Sequence, residues 1–310
     1  MTRPTRLLAI LTLGLFSISL TIGCGGGDES DSSSSKPSDA VAPTADEEPE
    51  EEAPVAEKIE EPAAPEEKPA EKPKTTTSNE AGGMGSIKGV IKLTGAIPEL
   101  PVLIKQGDST AKDSEVCAAE PVPDESLVVN SANSGIANVF IYMRKAPKGA
   151  PESEPSSEPV IFDQKGCQFV PHALFVQTGR PIKAVSSDAV PHNLHTNPIK
   201  NSPVNQIIAP NDKSGLDLTY SEGEIVPVKV TCDIHPWMVA WHFPLEHPYG
   251  AVTDENGNFT IENLPPGDHE FRIWQEKAGY LDKEFTVTVK AGEATEVTLE
   301  YPADTFSDDE

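Results

Sequence analysis

Positive charge is scarce in this chain. Its 310 residues carry 24 lysines and arginines against 50 aspartates and glutamates, a formal net charge of -26. Phosphates would be repelled by such a surface, so nucleic acid is excluded as a partner class. Helical periodicity is missing as well: no long stretch repeats its apolar residues every 3.6 positions. There is no Ser/His/Asp set, no phosphate-binding loop and no pair of catalytic carboxylates, so the chain is expected not to be an enzyme. Cysteine is rare, with four in all: Cys24, Cys117, Cys167 and Cys232.

What is present begins with an export signal. MTRPTR supplies positive charge and LLAILTLGLFSISLTIG an apolar run that ends in Gly23-Cys24. The segment LTIGC, residues 20–24, resembles the lipobox of bacterial lipoproteins, which implies cleavage after residue 23 and lipid on Cys24. An ordinary secretory signal or an uncleaved anchor are the alternatives, and each of them exports the rest of the chain. Anchoring by several acyl chains would be stable where a single chain binds reversibly. The expected location is therefore the bacterial cell envelope, on the periplasmic face or the cell surface. In an oxidising compartment the remaining three cysteines suggest one pair and one leftover. Cys117 with Cys167 is the expected disulfide, leaving Cys232 as a free thiol that a metal would occupy.

Residues 24–85 read as a disordered acidic, proline-rich linker, with almost nothing apolar to bury. From residue 86 the pattern changes to period two. In SIKGVIKL, in GIANVFIYMRK, in EFTVTVK and in TEVTLEY, apolar residues alternate with their neighbours. Short alternating runs broken by Gly, Pro, Asn and Asp read as half-buried strands, so the expected class is all-β. Loops near 145–158 and 246–249 divide the folded part into 86–158, 159–245 and 246–303, followed by an acidic tail, 304–310. The first section is too small to fold well alone. It is expected to pack on the second, tied to it through Cys117 and Cys167.

The stretch VTCDIHPWMV, residues 230–239, places Cys232, His235 and Met238 three residues apart. Zinc accepts thiolate and imidazole but not thioether. A thiolate with two imidazoles and a weak methionine is the donor set of a blue-copper centre. The second histidine is sought in AVPHNLHTNP, where His192 and His195 stand an odd number of residues apart and so face opposite sides of a strand. Spacing alone does not choose between them.

VPHN followed some forty residues later by Cys-x-x-His-x-x-Met resembles the cupredoxin family, and within it the amicyanin-like branch with a short ligand loop. The run CQFVPHALFVQTGRPIKAVSSDAVPHN resembles the approach to the first ligand. The resemblance spans about 159–245 and implies a Greek-key sandwich holding one type 1 copper ion. It implies His192, Cys232 and His235 as equatorial ligands and Met238 as the axial one. Asn193 would supply a backbone hydrogen bond to the cysteine sulfur and tie the two ligand loops together. The implied role is electron carriage between redox partner proteins. With His235 at the surface, its ring would be the electron exit and Pro236 and Trp237 part of the docking patch. Oxidases and reductases of this family need further copper and further histidines. His172, His242, His247 and His269 are expected to be structural or exposed. A copper carrier or sensor, or a surface binding module without redox traffic, are the alternatives.

HPYGAVTDENGNFTIENLPPGDHEFRIWQEKAGY, residues 247–280, has an Asn256-Gly257 hairpin signal and a Pro-Gly turn entering a strand. It resembles the carboxypeptidase-regulatory-like, transthyretin-like sandwich, also seen beside rhamnogalacturonan lyases. This implies a packing or docking module, with glycan or protein as its partner. Asp254 and Asn256 read as a plain hairpin turn rather than a calcium site.

Overall fold

The computed structural model describes residues 83–307. The signal, Cys24 and nearly all of the linker lie outside the described residues, as do residues 308–310. The fold is all-β. Among the described residues the helices are one turn at Ser114–Cys117 and a 3-10 turn at Ala303–Phe306.

The middle of the chain is a sandwich of two sheets. One has five strands in the order Asn205–Ile208, His192–Asn197, Val228–Thr231, Val239–Leu245, Ala173–Gln177. The other has four: Leu216–Leu218, Ile182–Ser186, Val160–Gln164, Phe169–Val170. Pairing is antiparallel except at Val239–Leu245 with Ala173–Gln177 and at Val160–Gln164 with Ile182–Ser186. Phe162, Phe169, Val176, Ile182, Leu194 and Val230 pack between the sheets, which is the burial that fixes their register.

A second sandwich completes the fold, and its composition differs from the expected division of the chain. Residues 86–158 do not form a section of their own. Their strand Gly85–Thr94 lies between Asn258–Leu264 and Ala294–Pro302, antiparallel to the first and parallel to the second. Their strand Phe140–Tyr142 lies between Gly250–Val252 and Gly267–Gln275, with Gly279–Val289 beyond. The physical reason is that the alternating strand from 85 to 94 has an apolar face, Ile87, Ile91 and Leu93. It buries this face against Phe259, Ile261, Phe271 and Ile273 of the C-terminal strands. Gly89 sits opposite Phe259 in this sheet, and a Cβ there would come within 2.3 Å of the Phe259 ring. The close approach requires glycine.

An aromatic cluster joins the two sandwiches. Phe140, Tyr142 and Trp274 of the second meet Phe243, Leu245 and Ala173 of the first, with Tyr142 and Phe243 edge to face at 4.4 Å. The remaining part of the N-terminal region, residues 102–123, does lie on the middle sandwich. It consists of a ribbon, Val102–Ile104 with Val122–Pro123, and the one-turn helix, and Cys117 is disulfide-bonded to Cys167.

Candidate metal centre

Strand pairing brings the two ligand stretches together. His192–Asn197 runs antiparallel to Val228–Thr231, with Thr231 opposite His195, so the start of the first strand lies beside the loop that follows the second. That loop, 232–238, closes on itself. The Cys232 amide donates to the Met238 carbonyl at 3.3 Å, and the Met238 amide to the His235 carbonyl at 2.9 Å. The His235 amide points at the Cys232 sulfur, 3.4 Å away.

Three donors converge. Nδ1 of His192 and Nδ1 of His235 are 2.9 Å apart, and the Cys232 sulfur is 3.8 Å from Nδ1 of His235. Ligand atoms of the three residues lie within 4.8 Å of one another, and all three are buried. Met238 is buried too and shares the core around Cys232. The Asn193 amide donates to the Cys232 sulfur at 3.5 Å. Its side chain spans the loops, accepting from the Asp233 amide at 2.6 Å and donating to the Asp233 carboxylate at 3.1 Å. His195 faces the other way, half-exposed, with Nδ1 on the Asp233 carboxylate at 2.9 Å.

Two carboxylates, which the sequence did not point to, set the tautomers. Nε2 of His192 donates to Asp188 at 2.9 Å, and Nε2 of His235 donates to Asp113 at 2.9 Å. An ionised carboxylate only accepts, so both rings carry their proton on Nε2. Both Nδ1 lone pairs then face the same point, and at 2.9 Å they require a cation, a proton or a metal ion, between them. Carboxylate-oriented imidazoles with a thiolate beside them are a donor set that fits copper. Asp188 is itself fixed, accepting from the amides of Gly166 at 2.6 Å and Cys167 at 2.8 Å. It stands four residues before His192, a spacing that could have been read as a partner. Asp113 is 122 residues from His235 and carries no local signal.

The electrostatics of the cluster favour a thiolate on Cys232 beside a protonated His192. Burial alone would raise the Cys232 thiol. Hydrogen bonds from His192, His235 and the amides of Asn193 and His235 overcome it and bring it down to about 6. Burial would lower His192, but Asp188 and Cys232 hold its proton and raise it to about 9. A metal ion would displace that proton.

His235 is not at the surface. It is fully buried under the segment that carries Asp113 and Cys117, and Trp237 packs on its ring at 5.2 Å. The physical reason is that residues 102–123, absent from a minimal sandwich, cover this edge. The Asp113 hydrogen bond and the Cys117–Cys167 bond hold them there. The exit expected for an exposed His235 ring is therefore closed.

The remaining histidines are all buried and stand apart from this cluster. His172 lies between Glu276, 2.7 Å from Nε2, and Glu125, 3.5 Å from Nδ1. His242 meets the Tyr220 hydroxyl at 3.1 Å, and His269 donates to the Pro265 carbonyl at 2.6 Å. His247 accepts from the Tyr249 amide at 3.3 Å. Asp254 is taken up by the turn, accepting from the amides of Asn256 and Asn258.

Comparison with known proteins gives the following. A family model described as the carboxypeptidase regulatory-like domain matches residues 245–301. No curated protein matches the chain. Among solved structures, a copper-containing nitrite reductase from Thermus scotoductus is 19% identical with a TM-score of 0.27. That match covers 34% of this chain and 26% of the reductase, so the chain spans about a quarter of it. A purple cupredoxin from Nitrosopumilus maritimus is 18% identical at a TM-score of 0.23, over 27% of this chain and 98% of that one. Amicyanin from Paracoccus versutus is 14% identical at 0.25, over 34% of this chain and 96% of that one.

Proposed function

We propose that this chain is an exported, membrane-tethered protein that holds one type 1 copper ion and carries electrons between redox partner proteins. The observation that carries the reading is the convergence of His192, Cys232 and His235, all buried, whose donor atoms lie within 4.8 Å of one another. His192, Cys232 and His235 would be the equatorial ligands and Met238 the axial one. Bound there, copper would supply a one-electron couple, with the axial thioether and the apolar shell around sulfur setting its potential. The chain's own residues prepare the site. Asp188 and Asp113 orient the imidazoles, Asn193 holds the sulfur, and the two strands keep the donors from spreading when the charge changes. Tethering rests on Cys24 and the lipobox-like segment. The carboxypeptidase regulatory-like domain would serve as a packing and docking module, for protein or glycan.

A second reading, a copper carrier or sensor without electron traffic, is favoured by one observation, the burial of His235 beneath the Asp113 segment. Adding Cu(II) to the purified protein separates the two. An intense visible band from thiolate-to-copper charge transfer is expected for the electron carrier. Binding of Cu(I) alone, with no colour on oxidation, would replace that reading with the second, and no copper binding would remove both.

A further inference from the structure

The disulfide is more than a neighbour of the metal centre. Ligand atoms of Cys117, Cys167 and His235 lie within 4.8 Å of one another, as do those of Cys167, Asp188 and His192, and every one of these residues is buried. As a disulfide the two sulfurs are poor donors, because a thiolate is what binds metal. Their positions, however, are not maintained by the S–S bond alone. The Cys167 amide donates to Asp188 at 2.8 Å, and the Cys167 carbonyl accepts from the Trp237 indole at 3.2 Å. The Cys117 amide closes the one-turn helix on the Asp113 carbonyl at 3.0 Å. The next residue, Ala118, accepts from the Gly107 amide at 2.8 Å, and the Asp113 side chain is bound to His235. Their Cα atoms are 5.2 Å apart, and both side chains sit in the core of the middle sandwich. None of these hydrogen bonds involves the two sulfur atoms.

We infer that the reduced Cys117–Cys167 pair, packed beside the ring of His235 but not drawing on its nitrogens, is a second site for a soft monovalent ion such as Cu(I), held by the two thiolates. A dithiol reductant delivers two electrons and two protons: the Cys117–Cys167 bond breaks, two thiols form, and the reductant becomes a disulfide. One ion then binds as two protons leave, one from each thiol. Two thiolates select soft ions and reject calcium or magnesium. The oxidised chain thus holds one ion, at Cys232, and the reduced chain holds two on either side of His235. The second site does not need Cys232.

Silver(I), which does not cycle between oxidation states, is the probe, counted after gel filtration of the full chain with and without dithiothreitol. Thiol titration in denaturant reports reduction, and far-ultraviolet circular dichroism reports the fold. Wild type is expected to retain one equivalent oxidised and two reduced. Cys232→Ser is expected to go from none to one. A Cys117→Ser/Cys167→Ser double variant is expected to hold one under both conditions. A reduced, folded Cys232→Ser protein that retains no silver would overturn the inference. So would a protein that loses its β spectrum whenever the disulfide is reduced. If oxidised wild type retains none and reduced wild type retains one, the second site stands and the Cys232 centre fails.

Discussion

Asp113 and His235 are joined by a 2.9 Å hydrogen bond across 122 positions of sequence, and that bond closes the edge of the candidate metal centre. A hydrogen bond to a charged group contributes about 1.5–3 kcal/mol. Asp113→Ala should therefore let the covering segment open roughly tenfold to a hundredfold more often, at 1.4 kcal/mol per factor of ten. The prediction is checked on metal-free protein by the rate at which iodoacetamide alkylates Cys232. An unchanged rate would show that Asp113 does not hold the cover down.

Cys232→Ser should abolish the visible band of copper-loaded protein while leaving its fold intact. The residue is buried, but serine is close to it in size, and the amides that face the sulfur can donate to a hydroxyl. Colour that survives the substitution would place the thiolate elsewhere.

Removal of the disulfide by a Cys117→Ala/Cys167→Ala double variant should lower stability by about 2–4 kcal/mol, since the bond closes a loop of about 50 residues. Urea denaturation measures it. A midpoint equal to that of wild type would mean that the hydrogen bonds around the two cysteines carry the attachment alone.

His172 sets a pH dependence. Burial would lower its pKa, but the carboxylates of Glu125, 3.5 Å from Nδ1, and Glu276, hydrogen-bonded to Nε2, raise it to about 9, against about 6.5 in an unfolded chain. The folded form holds this proton more tightly. Its contribution, on the order of 3 kcal/mol, is therefore complete below about pH 6.5 and is lost as pH rises through 9. Thermal melts from pH 6 to pH 10 should fall across that window in wild type and less steeply in His172→Gln.

Ile91→Ala should cost about 2–5 kcal/mol, the range for truncating a buried aliphatic side chain. The loss should appear in the C-terminal sandwich, because Ile91 is fully buried among its strands. By the same argument residues 246–307 expressed alone should show no cooperative unfolding transition.

The sequence revealed strands more readily than their partners. Alternation in SIKGVIKL and TEVTLEY identifies half-buried strands, and these become Gly85–Thr94 and Ala294–Pro302. Their parallel pairing was not legible, since an alternating strand declares that one face is buried but not against what. The candidate site was legible where its chemistry is local. Cys232, His235 and Met238 lie within seven residues, and His192 follows a recognisable turn. Asp188 was within reach, one helical turn of sequence before its histidine but across an extended bend. Asp113 was not, because nothing near it in the chain marks it, and so the sequence left open whether His235 is exposed or, as found, covered.

The parallel partnership of Gly85–Thr94 with Ala294–Pro302 also orders events in time. A ribosome releases the earlier strand about two hundred residues before the later one, and contacts this distant are slow to form. The middle sandwich, complete by Leu245, can fold during that interval. The outer one stays open, its earliest strand unsheltered on one side, until the chain has almost finished emerging. Any truncation near the carboxyl end would thus leave a bare edge far upstream, where other chains could add to it.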